Sequence, residues 1–95
     1  MNKLEIVRKE IEQVDEKIIS LIKERVGLSE KVLECKKEMN IPIKDDSREK
    51  EIIERVTNYA MEYNLDIGAV KNIFKLLIEM NIEHQKELRG ESSLP

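Results

Sequence analysis

One charged residue sits in the middle of an otherwise apolar helical pattern. From Leu4 onward, apolar side chains recur at steps of three and four, at positions 4, 7, 11, 14, 18, 21, 28, 32, 35 and 39. We call these ten positions the long stripe. Arg25 falls where the stripe should have another apolar residue. Because an unpaired charge on a packed helix surface is costly, Arg25 predicts an acidic side chain or an anionic ligand beside it.

Lys36 follows Arg25 by eleven residues, which is close to three whole helical turns. The two cations therefore point the same way, about 16 Å apart along the axis, and can hold a small anion between them. Arg8 lies about 25 Å from Arg25 on a straight helix, so it could reach this site only from a partner chain packed antiparallel. From the residues alone, an ordinary solvated arginine explains Arg8 equally well.

Two amides interrupt a second apolar stripe near the C-terminus. Asn81 and Gln85 are four residues apart and share one helix face, with Ile78 one turn before them. Each amide taken singly is explained by pairing with a backbone group or by fixing helix register. Three polar interruptions in so small a domain, Arg25 included, favour a polar pocket instead.

Arg48 and Glu49 open the segment that follows the proline loop. Glu49 shares a helix face with Ile52 and Val56, so its carboxylate is expected to point inward. It also stands three residues after Asp46, which is the spacing of a capping box. The sequence is consistent with two roles for the Glu49 carboxylate: it caps the helix, or it accepts a hydrogen bond from a ligand hydroxyl.

Groups typical of other chemistries are isolated or missing in the sequence. His84 has no second histidine or cysteine at metal-ligand spacing and is interpreted as a surface or helix-edge residue. Cys35, the single cysteine, is expected to be packed in the long stripe. We see no glycine-rich phosphate loop, nucleophile elbow, or Ser/His or Cys/His pairing. We therefore expect neither a metal nor a cofactor.

The patterns predict an all-α fold of three helices, one long and two shorter. Their expected ranges are about 3–39, 47–63 and 67–88. Pro42 separates the first two, while Asp46 or Ser47 starts the second helix, Asn64 ends it and Asp66 starts the third. Residues 1–90 are expected to form one domain, and residues 91–95 a flexible tail.

The first helix is too long for its own chain to cover. At 1.5 Å per residue it would extend about 55 Å, whereas a compact domain of this size has a radius of gyration of only about 13 Å. Because two shorter helices cannot bury the whole stripe, we predict an intertwined helical homodimer.

Composition excludes several classes of function. The chain has 95 residues, of which 39% are charged, but the net charge is only −3, which argues against nucleic-acid binding. No apolar run is long enough to cross a membrane, and the first residues lack the apolar core of a signal peptide. We therefore expect a cytoplasmic protein that contacts no membrane.

Taken together, these residues resemble the all-helical chorismate mutases, the small single-domain enzymes of the shikimate pathway. The resemblance covers about residues 4–88. It is carried by the opening VRKEIEQVDEKI, the segment ERVGL, the lysine before the proline loop, the box DDSRE and the terminal NIEHQ. It implies a helical dimer that rearranges chorismate to prephenate for phenylalanine and tyrosine synthesis, without a cofactor.

The family's site residues match ten positions of this sequence. The substrate-binding residues implied are Arg8, Arg25, Val32, Lys36, Asp45, Arg48, Glu49, Ile78, Asn81 and Gln85. The resemblance implies that Lys36 and Gln85 donate to the ether oxygen, and that Arg25 and the partner subunit's Arg8 hold the carboxylates. Glu49, with backbone near Asp45, takes the ring hydroxyl. Arg48 and Asn81 complete the polar wall, with Asn81 standing where the family often has serine; Val32 and Ile78 are apolar wall positions.

Three other functions stay open at this point. An isochorismate–pyruvate lyase has the same fold and much of the same site, although the intact box that opens the second helix favours the mutase. A non-catalytic helical dimer would use its polar stripe residues only to fix register. A regulatory module would bind a larger shikimate-pathway enzyme.

Overall fold

A computed structural model describes residues 2–90 of the chain. It contains three helices, α1 (Lys3–Met39), α2 (Asp46–Glu62) and α3 (Ile67–Leu88), and no strand within those residues. The all-α prediction, with one long and two shorter helices, is confirmed. No helix in this part of the chain is long and apolar enough to span a bilayer. The predicted tail, residues 91–95, lies outside the described residues.

Helix α1 is a single helix of 37 residues with an asparagine at each end. The Oδ1 of Asn2 accepts a hydrogen bond from the backbone N–H of Glu5 at 2.9 Å. Asn40 ends the helix in the left-handed conformation, with φ 56°, which asparagine adopts more readily than most residues. Gly27 lies inside α1 without ending it.

The start of α2 corrects the predicted cap. The Oδ1 of Asp45, rather than of Asp46, accepts from the backbone N–H of Arg48 at 3.1 Å. Asp46 is instead the first helical residue, where a carboxylate is favoured by the helix dipole. The predicted capping box of Asp46 and Glu49 is not formed, because the N-cap is Asp45; the Glu49 carboxylate pairs with Lys44 instead.

A short turn joins α2 to α3. Asn64 lies in the left-handed conformation, with φ 54°, just past the end of α2, in agreement with its predicted role. Asp66 occupies the N-cap of α3, but its side chain makes no capping bond. Its backbone carbonyl accepts from Val70 N–H at 3.0 Å instead.

Helix α3 packs against both other helices, whereas α1 and α2 do not approach each other closely within residues 2–90. Ile52, Val56 and Ile78 form a buried cluster between α2 and α3. On α1 the buried side chains are Ser29 and Leu33, each one residue beyond a member of the long stripe. The chain therefore covers a face of α1 that adjoins the stripe and leaves the stripe itself free.

The long stripe is uncovered in the single chain. Its aliphatic and methionine side chains from Leu4 to Met39 are between 46% and 68% exposed. Cys35, which was predicted to be packed, is also exposed, because no other segment of residues 2–90 lies over it. The radius of gyration is 16.8 Å, well above the value of about 13 Å for a compact domain of this length.

Leu33→Ala tests the core on the covered face of α1. Leu33 is 3% exposed, so the truncation should lower the free energy of unfolding by about 2–5 kcal/mol. Leu76→Ala is the matched control, because Leu76 is 64% exposed in the single chain and its loss should cost under about 1 kcal/mol. Urea unfolding at one fixed protein concentration measures both, and equal losses would contradict this assignment of the core.

Candidate active site

A cavity of about 320 Å³ opens between the C-terminal half of α1, the start of α2 and the C-terminal half of α3. It brings together nine of the ten residues that the sequence singled out. These are Arg25, Val32, Lys36, Asp45, Arg48, Glu49, Ile78, Asn81 and Gln85. Side chains up to 60 residues apart in sequence, such as Arg25 and Gln85, therefore meet in one space.

Arg8 is the predicted residue that does not line this cavity. It is exposed on the N-terminal half of α1, whereas the contribution of α1 to the cavity begins at Arg25. A straight helix separates the two by about 25 Å, so Arg8 cannot reach the cavity of its own chain.

Helix α1 supplies the two cations that periodicity placed on one side. Arg25 Nη1 donates a hydrogen bond to Asn81 Oδ1, which links α1 to α3. Lys36 Nζ donates to the backbone carbonyl of Ile43, which ties the loop to the end of α1. Neither cation forms an ion pair with a carboxylate in residues 2–90, so both charges remain free for an anion.

Helix α3 supplies the two amides, both buried. Gln85 Nε2 donates a hydrogen bond to the backbone carbonyl of Ser29 at 2.8 Å. Pairing with a backbone group is the structural role that the sequence offered for this amide. Asn81 Oδ1 accepts the hydrogen bond from Arg25, while Asn81 Nδ2 has no partner in the described chain. A buried amide without an acceptor is unfavourable, so Asn81 has a donor available for a ligand in the cavity.

Helix α2 supplies charged groups that are paired at the surface. Both oxygens of Glu49 accept from Lys44 Nζ, at 2.7 and 3.0 Å. The hydrogen bond to Glu49 raises the pKa of Lys44 from its ordinary value. Arg48 Nη1 contacts Glu51 Oε2 at 3.2 Å. Because these contacts are exposed, each is worth little and can be exchanged for a ligand at small cost.

The cavity is electropositive on an acidic protein. Arg25, Lys36, Arg48 and Arg55 line it together with only two carboxylates, Asp45 and Glu49. Burial lowers the pKa of Arg25, and the like charges of Arg55 and Arg48 lower it further. The guanidinium still stays charged at neutral pH, since an unperturbed arginine titrates far above it. An anion of two charges would balance the excess.

Several residues that line the cavity were not predicted as site residues from the sequence, including Arg55, Ser29 and Ile43. Arg55 follows Arg48 by seven residues and Ser29 follows Arg25 by four, so helical spacing could have found both. Ile43 lies in the loop, where no periodicity applies. It is 5% exposed and forms part of the apolar wall.

Other potential chemical groups are absent or engaged in the described chain. No cluster of three His, Cys, Asp or Glu side chains between residues 2 and 90 could hold a metal ion. His84 Nε2 lies 2.7 Å from Glu30 Oε1, which joins α3 to α1. The cavity thus offers fixed cations, amide donors and apolar walls, which suit the binding and electrostatic stabilisation of a small dianion.

The comparison with protein families decides the assignment. The model of the family "Chorismate mutase type II" matches residues 7–86. The chain belongs to the chorismate mutase type II family. This agrees with the resemblance stated from the sequence motifs.

Individual relatives agree with the family match. A chorismate mutase from Methanocaldococcus jannaschii is 40% identical over 97% of this chain and 93% of that protein. A bifunctional chorismate mutase/prephenate dehydratase from Buchnera aphidicola is 37% identical, and this chain spans only 23% of its length. The solved structure of a conserved hypothetical protein from Pyrococcus furiosus matches with a TM-score of 0.67 and 34% identity, covering 90% of this chain and 97% of that one.

Proposed function

We propose that this chain catalyses the Claisen rearrangement of chorismate to prephenate, in the synthesis of phenylalanine and tyrosine. The observation that carries the proposal is one cavity in which Arg25, Lys36 and Gln85 meet, in a member of the chorismate mutase type II family. The rearrangement takes place within one molecule. It needs no nucleophile, proton donor or metal from the protein.

Lys36 and Gln85 are proposed to stabilise the transition state. Negative charge builds on the ether oxygen as its carbon–oxygen bond breaks, and fixed donors aimed at that atom lower the barrier. Lys36 Nζ would leave the carbonyl of Ile43 for this oxygen. Gln85 is held by Ser29, which orients its amide in advance of substrate binding.

Arg25 is proposed to hold a carboxylate of chorismate in its folded, reactive conformer. Its bond to the Asn81 oxygen orients the guanidinium, while Asn81 Nδ2 is left free to donate to the substrate. Holding the reactive conformer supplies part of the rate enhancement, because the ordering of the substrate is completed on binding. Arg48 completes this polar wall, and Val32 and Ile78 pack against the ring.

Glu49 is proposed to accept the ring hydroxyl, together with backbone near Asp45. Its carboxylate lines the cavity and accepts a hydrogen bond from Lys44 Nζ, which holds it in place. The capping role of Asp45 fixes the backbone at this point, since its side chain bonds the N–H of Arg48.

The active unit is proposed to be an intertwined homodimer. A second copy packed antiparallel along α1 would bury the long stripe, which is left exposed by the described residues of the single chain. It would also bring the partner's Arg8 to the cavity and complete the set of cations around the substrate. Residues 1–90 would form this unit as one domain.

Mixing two inactive variants tests the shared site. Arg8→Ala and Arg25→Ala should each be nearly inactive alone. A heterodimer of the two has one site with both arginines intact, so an equilibrated equal mixture should recover about a quarter of wild-type activity. An Arg8→Ala/Arg25→Ala double variant mixed with either single variant is the control, because no dimer it forms has a complete site. Failure of the mixture to recover activity would contradict the donation of Arg8.

Chorismate consumption tests the activity itself. Purified protein should lower the absorbance of chorismate and produce prephenate, and chorismate should raise the melting temperature because it binds the folded state. A parallel assay with isochorismate, read as pyruvate release, distinguishes the lyase. A non-catalytic dimer would show neither turnover nor thermal protection.

We also propose that the protein is cytoplasmic and that it associates with a larger shikimate-pathway enzyme. Co-purification from the source cells is the direct test of that association. Several relatives are bifunctional chorismate mutase/prephenate dehydratases.

A further inference from the structure

Arg55 is a cavity cation to which neither the motifs nor the family resemblance gave a role. It lines the cavity with Arg25 and Arg48. It follows Arg48 by seven residues, nearly two turns, so both arginines lie on the same side of α2. Arg55 is exposed as a residue, which places it at the open edge of the cavity rather than at its floor.

Arg55 differs from the other cavity arginines in having no partner in the described part of the chain. Arg25 is bonded to Asn81, and Arg48 to Glu51. Glu51 lies four residues before Arg55, within reach along the helix, yet its carboxylate contacts Arg48. No hydrogen bond or ion pair joins Arg55 to any residue between 2 and 90.

The positive charge of Arg55 is felt by Arg25, which lines the same cavity. It is the largest like-charge influence that lowers the pKa of Arg25, ahead of Arg48. Four cations gathered around one space with only two carboxylates repel each other, and this repulsion is relieved when a dianion enters. The arrangement costs stability in the empty protein and favours the binding of an acidic ligand.

We propose that Arg55 is a further substrate-binding residue, which draws the dicarboxylate into the cavity and contacts one carboxylate at the entrance. This inference rests on the proposed function. The two carboxylates keep their charge throughout the rearrangement, so a cation that faces one of them stabilises substrate and transition state equally. Arg55 should therefore affect KM, whereas Lys36 and Gln85, which face the ether oxygen, should affect kcat.

Steady-state kinetics of Arg55→Gln with chorismate test the proposal. KM should rise about tenfold and kcat should stay within about twofold of wild type. The kcat/KM of the variant should also fall less steeply with added NaCl, because one steering charge is gone. Arg55→Lys keeps the charge and should restore most of the loss in KM.

Lys50→Gln is the matched control. It removes one positive charge from the same helix, but Lys50 lines a separate groove between α2 and α3 and not the cavity. Its KM and salt dependence should equal those of wild type. Melting temperatures of all variants exclude an effect through folding.

The outcomes separate the two proposals. If wild type leaves chorismate unchanged, the proposed function fails and the role of Arg55 fails with it. If wild type is active, an unchanged KM in Arg55→Gln, or a fall in kcat with no rise in KM, overturns the role of Arg55 alone. An equal rise in KM for Lys50→Gln would overturn it too, because the effect would then follow net charge.

Discussion

Lys36→Ala is expected to lower kcat for chorismate by about 10²–10³-fold, the usual cost of losing one donor to a developing oxyanion. Lys36 lies in the cavity and contacts only a neutral carbonyl, so its full charge is available to the ether oxygen. Helix content should be unchanged, because alanine is the best helix former. Stopped-assay kinetics and circular dichroism measure the two effects.

Lys37→Ala is the control for this variant. Lys37 is the next residue of α1 and is exposed, but it does not line the cavity. Its loss removes the same charge from the same turn and should leave kcat within about twofold of wild type. Near-wild-type turnover by Lys36→Ala would contradict the assignment of Lys36, since no other lysine between residues 2 and 90 lines the cavity.

Arg25→Ala is expected to lower kcat/KM by about 10³-fold or more, because it removes both the proposed contact with a substrate carboxylate and the hydrogen bond that orients Asn81. The variant should remain folded. Arg25 is partly desolvated beside the like charges of Arg55 and Arg48, so its removal relieves an unfavourable arrangement. The unpaired Asn81 oxygen opposes this gain, and the melting temperature should stay within about 5 °C of wild type.

Arg25→Lys separates charge from geometry. Lysine keeps the positive charge but cannot form the two parallel hydrogen bonds of a guanidinium with a carboxylate. It should recover only a small part of the lost kcat/KM. Full activity in either Arg25 variant, measured as chorismate consumption, would show that the cavity is not the site of reaction.

Much of the fold follows from local sequence. The periodicity of the long stripe and Pro42 predicted helix ends that agree with the structure at Lys3 and Met39. The cap of α2 was misassigned by one residue, because Asp45 and Asp46 have equal capping propensity. The structure decides between them: Asp45 adopts the extended backbone of a cap, and its Oδ1 accepts a hydrogen bond from the backbone N–H of Arg48.

The composition of the candidate site was also largely predictable. Polar residues that interrupt an apolar helix face are visible in one sequence, and Arg25, Asn81 and Gln85 were found in this way. Arg55 was not, because it lies on a charged stretch of α2 where one more arginine breaks no pattern. Ile43 was missed because a loop residue has no periodicity from which to infer its burial.

The sequence by itself determined where the three helices lie, with α2 displaced by one residue, and which side chains share a face, because helical hydrogen bonds and periodicity act over four residues. Only the tertiary structure decided that Arg25 meets Asn81, 56 residues away, that Lys36 folds back onto the loop, and that Arg55 has no partner among residues 2–90. These contacts depend on how α3 packs between α1 and α2, and that packing is set by the burial of side chains from all three helices together.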